Sequence, residues 1–279
     1  MKQWVYLNND FLPAEQACIH VSDLAIQRGY GIFDYIKVLQ TTPIFLDDHL
    51  DRFFRSASAM HLPIPQKREA LKEIVQALAV RNKLTVSGIR LTLTGGYSAD
   101  GYSISTPNLV ITQSNFSEPT EEARKKGLYL ITKNHQRQLA HVKTIDYLMP
   151  IWLQNEVKEK GADDVLYKTN DTITECPRAN IFIVTKEGVL VTPLKNILQG
   201  ITRNKILQLA KSFCAVEERE VTIQDLSEAS EIFITSTTKG VLPVRQVDEF
   251  KYDMQNTVSN YLITQLQIIH NGLSTAETV

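Results

Sequence analysis

The stretch Asp164-Val165-Leu166-Tyr167-Lys168-Thr169-Asn170-Asp171-Thr172-Ile173-Thr174-Glu175-Cys176-Pro177-Arg178-Ala179-Asn180-Ile181-Phe182-Ile183-Val184-Thr185 decides the fold class. Its β-branched and apolar runs, residues 164–167, 172–175 and 180–185, follow one another too closely for helices to intervene, so they read as strands joined in hairpins. Residues 128–132, 189–192 and 231–235 extend the pattern. Helices are expected over residues 146–160, closed by Gly161, and over 202–213 and 253–269. Hairpin strands with segregated helices argue an α+β arrangement rather than a doubly wound parallel sheet.

Toward the N-terminus, strands and helices alternate. Trp4–Leu7 and residues 11–13 flank Asn8-Asn9-Asp10, a good turn sequence. Gly31–Leu39 reads as a strand, and Thr41-Thr42-Pro43 turns it into a short run over residues 44–46. A helix from Asp47 or Asp48 carries Leu50, Phe53, Phe54, Ala57 and Met60 on one face. A second, over residues 66–81, points Leu71, Ile74, Val75 and Leu78 inward. Residues 88–94 alternate, with Ile89, Leu91 and Leu93 on one side and Arg90, Thr92 and Thr94 on the other. The polar, turn-rich run from Gln113 to Ala123 contains the expected linker. The division is therefore a small α/β domain over 1–115, a linker over 116–124 and a larger β-rich domain over 125–279.

Composition narrows the function. The 279 residues include 30 Lys and Arg against 31 Asp and Glu, for a formal charge of −1, and this balance argues against nucleic acid or a membrane surface as partner. Cys18, Cys176 and Cys214 are widely spaced, without a C-x-x-C, which suggests neither a disulfide framework nor a zinc knuckle. The N-terminal sequence turns polar too soon for a signal peptide, and no apolar run approaches the roughly 20 residues that span a bilayer. A reduced, cytoplasmic protein is expected. P-loop, G-x-G-x-x-G, G-x-S-x-G and H-E-x-x-H motifs are all absent, and no third ligand joins His135 and His141 as a metal site.

Four places are suited to chemistry. Gly200-Ile201-Thr202-Arg203 opens an apolar-periodic stretch, and a Gly-x-Thr at a helix start presents N–H groups and a hydroxyl to one spot: an anion cradle, or simply a cap at Thr202. Thr235-Ser236-Thr237-Thr238 leaves a strand and offers a second cradle or a solvated turn. Two such places without a nucleotide motif point to a small phosphorylated cofactor. Lys143 precedes the expected helix at 146, where a positive charge is disfavoured; that and partial burial would lower its pKa from about 10.4 and give a neutral amine, the alternative being an ordinary surface lysine. Glu175, at a strand end, suits holding a ring nitrogen protonated, or capping a turn.

In this order the pieces resemble fold-type IV, pyridoxal 5'-phosphate-dependent aminotransferases, the group of D-amino-acid and branched-chain aminotransferases and aminodeoxychorismate lyase. The matching segments are Gly31-Ile32-Phe33-Asp34, His49-Leu50-Asp51-Arg52, Lys143-Thr144-Ile145-Asp146-Tyr147, Thr174-Glu175 with Asn180, Gly200-Ile201-Thr202-Arg203, and Thr235-Ser236-Thr237-Thr238 followed by Pro243-Val244. The resemblance implies that Lys143 is the Schiff-base lysine, Arg52 the phosphate arginine, and Ile201, Thr202, Ser236 and Thr237 further phosphate contacts. It implies that Glu175 pairs with the pyridinium nitrogen and that Tyr147 reaches the phenolic oxygen, one residue out of register. It also implies two domains with the active site in their cleft, a homodimer, and ping-pong transamination between an amino acid and a keto acid.

The substrate is set by departures from the family patterns. The Arg-x-His carboxylate trap of D-amino-acid enzymes is replaced by Asp100-Gly101-Tyr102, and their strand tyrosine by Phe33. Branched-chain enzymes carry a tyrosine two residues before the arginine of the same strand, where this chain has Gly88, and their F-E-G is Phe33-Asp34-Tyr35; Ile89-Arg90 does match. The lyase's threonine is Asp34. Arg28 and Arg90, with Arg178 as a third contributor, offer guanidinium partners for a substrate carboxylate near Phe33. The resulting expectation is a D-amino-acid transaminase with an altered carboxylate site, then a branched-chain L-amino-acid transaminase, then a lyase.

Overall fold

The structure, a computed structural model, describes residues 3–276, so the first two and last three residues of the predicted domain spans lie outside it. The chain forms two compact units. One takes the chain up to Ser117, Val142–Asp146 and the chain from His270; the other takes Glu118–His141 and Tyr147–Ile269. The stretch expected as a linker leads into the helix Glu121–Lys126, whose first turn is capped by the Thr120 hydroxyl accepting from the Ala123 N–H. Part of the polar composition there serves a helix start.

The first unit is built on a six-stranded sheet in the order Asp10–Pro13, Trp4–Leu7, Leu109–Asn115, Val86–Thr94, Gly31–Leu39, Thr42–Pro43. Gly31–Leu39 and Val86–Thr94 pair antiparallel along their whole length, with Gly31 opposite Thr94 and Leu39 opposite Val86. Their alternation sorts the two faces. Ile89, Leu91 and Leu93 are fully buried in a core with Leu50, Phe53, Leu71, Val75 and Leu78 of the helices Leu46–Ala59 and Arg68–Asn82. Arg90 and Thr92 alternate with them, half-buried. The run expected over 44–46 is not a strand: the ladder stops at Pro43, and Phe45 turns left-handed, φ 55°, to start the helix at Leu46.

The second unit holds an eleven-stranded mixed sheet. Ala179–Val184 pairs antiparallel with Glu231–Ser236, which pairs antiparallel with Gly240–Val247. Leu128–Asn134 then runs parallel to both Gly240–Val247 and Asp164–Thr169. The run expected as one strand over 172–175 is two. Thr172–Ile173 turns back on Asp164–Thr169, while Glu175–Cys176 joins Ala179–Val184, with Glu175 opposite Asn180. The chain changes ladders at Thr174, and Glu175 is fixed at the first position of the new one.

The long helix expected over 146–160 is two short ones, Leu148–Trp152 and Gln154–Glu159. The residues before it are extended rather than helical, which bears directly on Lys143.

Candidate active site

In the first unit the lysine is placed by a strand. The Phe33 N–H donates to the Lys143 carbonyl at 2.9 Å, the Ile145 N–H donates to the Gly31 carbonyl at 3.1 Å, and Ile32 and Thr144 form an antiparallel bridge. Lys143 thus lies on a short rung beside the start of Gly31–Leu39, its own N–H 3.5 Å from the Ser56 hydroxyl. The helix-end argument for its electrostatics is corrected by this geometry. The next helix along the chain begins only at Leu148, beyond the single turn over which such a field acts. What lies near the amine instead is an aromatic ring: Nζ is 4.6 Å from the Phe33 centroid, and the Arg90 guanidinium carbon is 3.9 Å from the same centroid. The structure therefore brings Lys143, Phe33 and Arg90 together. Arg90 Nε also donates to the Thr92 hydroxyl at 3.3 Å.

Successive strand residues face opposite ways, and Asp34, next to Phe33, serves the other side. Its carboxylate accepts Arg52 Nε and Nη2, each at 2.8 Å, and His49 Nδ1 at 2.7 Å; all three side chains are buried. Burial works against the charged form of Asp34, but Arg52 and His49 outweigh it and hold the carboxyl well below its usual range. Burial also pushes the His49 imidazole down, against the pull of Asp34, and the positive charges of Arg52 and Lys143 add to the push. A neutral His49 then donates its Nδ1–H to an ionised Asp34. Arg52, His49 and Ser56 form a buried polar stripe on the helix Leu46–Ala59.

Arg28 ends the helix Leu24–Arg28, exposed, with its guanidinium donating to the Gln27 carbonyl at 3.0 Å. The expected trap position, Asp100, has a structural task. It accepts from the Ser98 hydroxyl, the Tyr102 and Ser103 N–H groups and the Ser103 hydroxyl, pinning its own loop.

In the second unit Glu175 is buried, and both its oxygens have donors: Arg137 Nε at 2.8 Å on one and the Leu198 N–H at 2.9 Å on the other. Arg137 is itself fixed by donating to the Ala140 carbonyl at 2.6 Å. Asn180, opposite Glu175, donates to the Leu198 carbonyl at 2.8 Å. Its side-chain oxygen stands where a Cβ on residue 200 would fall, so Gly200 is required there by space.

The helix after it is Ile201–Ala210, with Gly200 at the N-cap and no side-chain cap. Thr202 is therefore inside the first turn, buried, and is not the cap. Behind it the buried Arg203 ties the turn down through Glu218 at 2.8 Å, the Pro193 carbonyl at 2.8 Å and Gln199 at 3.0 Å.

Ser236 ends the strand Glu231–Ser236, its hydroxyl accepting from the Lys239 N–H at 3.2 Å, and Thr237 follows in the turn. Tyr147 sits at the N-cap of Leu148–Trp152, half-buried. The Arg178 side chain is 64% exposed, with its guanidinium 3.9 Å from Asp164.

Sequence reading set Arg52 beside His49 at i, i+3 but missed Asp34 as the acid that binds both, although it was inside a quoted motif, and missed Arg137 altogether. Arg137 lies in His135-Gln136-Arg137-Gln138-Leu139-Ala140-His141, a loop without periodicity, and its importance arises only where the chain brings it to Glu175.

Comparison with known proteins fits this site. The family model for amino-transferase class IV matches residues 31–247. A D-alanine aminotransferase of Listeria monocytogenes is 29% identical over 253 residues, covering 88% of this chain and 87% of its own. Two solved structures share the fold. The T.th. branched-chain amino acid aminotransferase with pyridoxamine 5'-phosphate is 24% identical, with a TM-score of 0.89, covering 96% of this chain and 94% of that one. The Escherichia coli branched-chain enzyme is 23% identical, also with a TM-score of 0.89 and the same coverage. The chain belongs to the class IV aminotransferases, of fold type IV, and is a pyridoxal 5'-phosphate-dependent transaminase.

The residues present fit that cofactor. Glu175 is a buried carboxylate with a guanidinium on one oxygen and a backbone N–H on the other, an acceptor suited to a protonated ring nitrogen. A helix start without a side-chain cap leaves first-turn N–H groups for a phosphate. The Thr235 hydroxyl, beside Ser236, is buried without a hydrogen-bond partner among the described residues.

Proposed function

We propose that the enzyme transfers the amino group of a D-amino acid to a 2-keto acid by a ping-pong mechanism, with Arg90 in a non-standard substrate-carboxylate site. The observation that carries this reading is the cluster at Phe33, whose ring is approached by both the Arg90 guanidinium and the Lys143 amine. The D-alanine aminotransferase relative supports the D-selectivity. Bound pyridoxal 5'-phosphate supplies an electron sink for the charge left when a Cα proton departs. The chain supplies the rest. Lys143 takes the proton from Cα and returns it, and Glu175 keeps a proton on the ring nitrogen. Arg52, Ile201, Thr202, Ser236 and Thr237 hold the phosphate, Tyr147 reaches the phenolic oxygen, and Arg90 receives the substrate carboxylate, with Arg28 and Arg178 as further contributors.

A branched-chain L-amino-acid transaminase is the second reading, favoured by Ile89-Arg90. Absorbance titration of the holoenzyme under single-turnover conditions separates them. Conversion of the cofactor band by D-alanine or D-glutamate and not by their L-forms is expected; conversion by L-leucine or L-valine alone selects the second reading.

The working form is a homodimer in the cytoplasm. Large apolar side chains support association with a second copy, since Tyr102 is 84%, Leu148 77% and Trp152 71% exposed. No helix among the described residues is long and apolar enough to cross a membrane.

A further inference from the structure

The strand face that carries Phe33 and Arg90 also carries Tyr35, which no step above uses. Tyr35 is paired with Arg90 in the ladder, two residues along the strand from Phe33. Its ring does not stay over its own strand. A Cβ on Gly88 would fall against Cε1, Cζ and the hydroxyl oxygen of Tyr35, so the ring fills the space that any side chain at position 88 would need. Ser114, opposite Gly88 on the next strand, hydrogen-bonds the phenol, and Phe116 meets the ring edge-on at 6.4 Å and 63°. One side chain thus spans three strands.

This placement bears on Arg90. Residues 88, 90 and 92 share a face, so the Tyr35 ring stands on one side of Arg90 and Thr92 on the other. The guanidinium leans between them onto Phe33. Burial pushes the Tyr35 phenol up, against the opposing pull of Ser114 and Arg90, so the hydroxyl stays protonated near neutral pH.

We propose that Tyr35 is the positioning residue of the substrate-carboxylate site: from its own strand it supplies the aromatic wall that Gly88 leaves open on the next, and so keeps Arg90 on the Phe33 ring that Lys143 also approaches. The departures at Phe33-Asp34-Tyr35 and at Gly88 then answer one another, since the ring on residue 35 fills the space that a side chain on residue 88 would need. This rests on the reading of Arg90 as a carboxylate ligand.

The test is a swap, read by steady-state kinetics with 2-oxoglutarate as acceptor and by the cofactor affinity of each variant. Tyr35→Gly should raise KM about tenfold while kcat and cofactor affinity change little, the pattern of lost binding common to ground and transition states. Gly88→Tyr in the parent puts two rings in one space and should lower Tm. Tyr35→Gly combined with Gly88→Tyr should restore both KM and Tm. Tyr35→Phe keeps the ring and should keep KM.

A parent-like KM in Tyr35→Gly overturns the proposal. So does a double variant that folds without recovering KM, or that does not fold, because the ring would then not be interchangeable between strands. A tenfold rise in Tyr35→Phe also overturns it, by moving the role to the hydroxyl. Arg90→Gln separates the two layers. Unchanged KM there removes the reading of Arg90 itself, whereas raised KM there with no effect of Tyr35→Gly removes only the role of Tyr35.

Discussion

Each unit contains a buried carboxylate gripped by an arginine, and the two pairs have opposite divisions of labour. In the first, Asp34 holds Arg52 by two bonds of 2.8 Å, and the arginine is the member proposed to hold the phosphate. In the second, Arg137 holds Glu175 at 2.8 Å, and the carboxylate is the member proposed to meet the ring nitrogen. Either charge buried alone would be strongly disfavoured; the partner makes its burial tolerable and fixes its direction. A buried ion pair is thus no guide to which of its members acts. The neighbours decide: Arg52 shares its acid with His49, whereas Glu175 has its second oxygen on the Leu198 N–H.

The largest expected effect lies outside both pairs. Lys143→Ala should lower kcat by about 10⁴-fold, the scale of a lost acid–base group, with the fold retained. Multiple turnover at the parent rate would remove Lys143 as the base. Next come the second unit's partners. Glu175→Gln should cost about 10²- to 10³-fold in kcat through lost charge stabilisation. Arg137→Leu should cost less in kcat than Glu175→Gln but more in Tm, because it leaves a buried acid without its counter-charge. If Arg137→Leu matches Glu175→Gln in kcat, the division of labour drawn for this pair is wrong.

For the first pair the readout is cofactor retention. Arg52→Gln should weaken pyridoxal 5'-phosphate binding about 10- to 100-fold, as expected for hydrogen bonds to a charged group. It should leave the binding of pyridoxal, which lacks the phosphate, unchanged. Asp34→Asn should reproduce that phosphate-selective loss, and combining the two should add nothing, since both act through one guanidinium. Equal losses for both ligands would reduce Asp34 to a structural role.

The two units also differ in how far they could be read from sequence. Gly31–Leu39 declared itself through a run of mostly apolar and aromatic residues, interrupted by Asp34 and Lys37 and buried on both faces, and its partner through the alternation of Ile89, Leu91 and Leu93. Gly240–Val247 did not, although it is central to the larger sheet. Pro243 lacks an N–H and argues against a central strand. The structure accommodates it because the parallel ladder to Leu128–Asn134 begins only at Val244 and is irregular from there to Gln246. The site divides similarly. Short motifs singled out Lys143, Arg52 and Glu175 as candidates, but Arg137 and the rung that holds Lys143 depend on contacts with residues far along the chain, and local patterns do not encode those.

The smallest effect sharpens the contrast from the side of pH. Because burial lowers the His49 pKa below its unfolded value of 6.5, the unfolded chain binds more protons there. Stability should therefore fall as pH drops below about 6.5, by at most about 1.4 kcal/mol per pH unit, until the folded pKa is passed. Asp34, also depressed in the folded state, contributes stability that is present above its unfolded value of 3.8 and is lost only at lower pH. His49→Gln should remove its share of the first slope and leave the Asp34 contribution, whereas Asp34→Asn should remove the latter and also deepen the His49 depression, since Asp34 opposes it. Chemical denaturation of the three proteins between pH 7 and pH 4 measures the His49 slope, and its extension below pH 3.8 measures the Asp34 contribution. A parent whose His49→Gln variant keeps the full slope would show that the imidazole is not held neutral, and that the first pair is a three-membered charged cluster rather than one carboxylate serving one arginine.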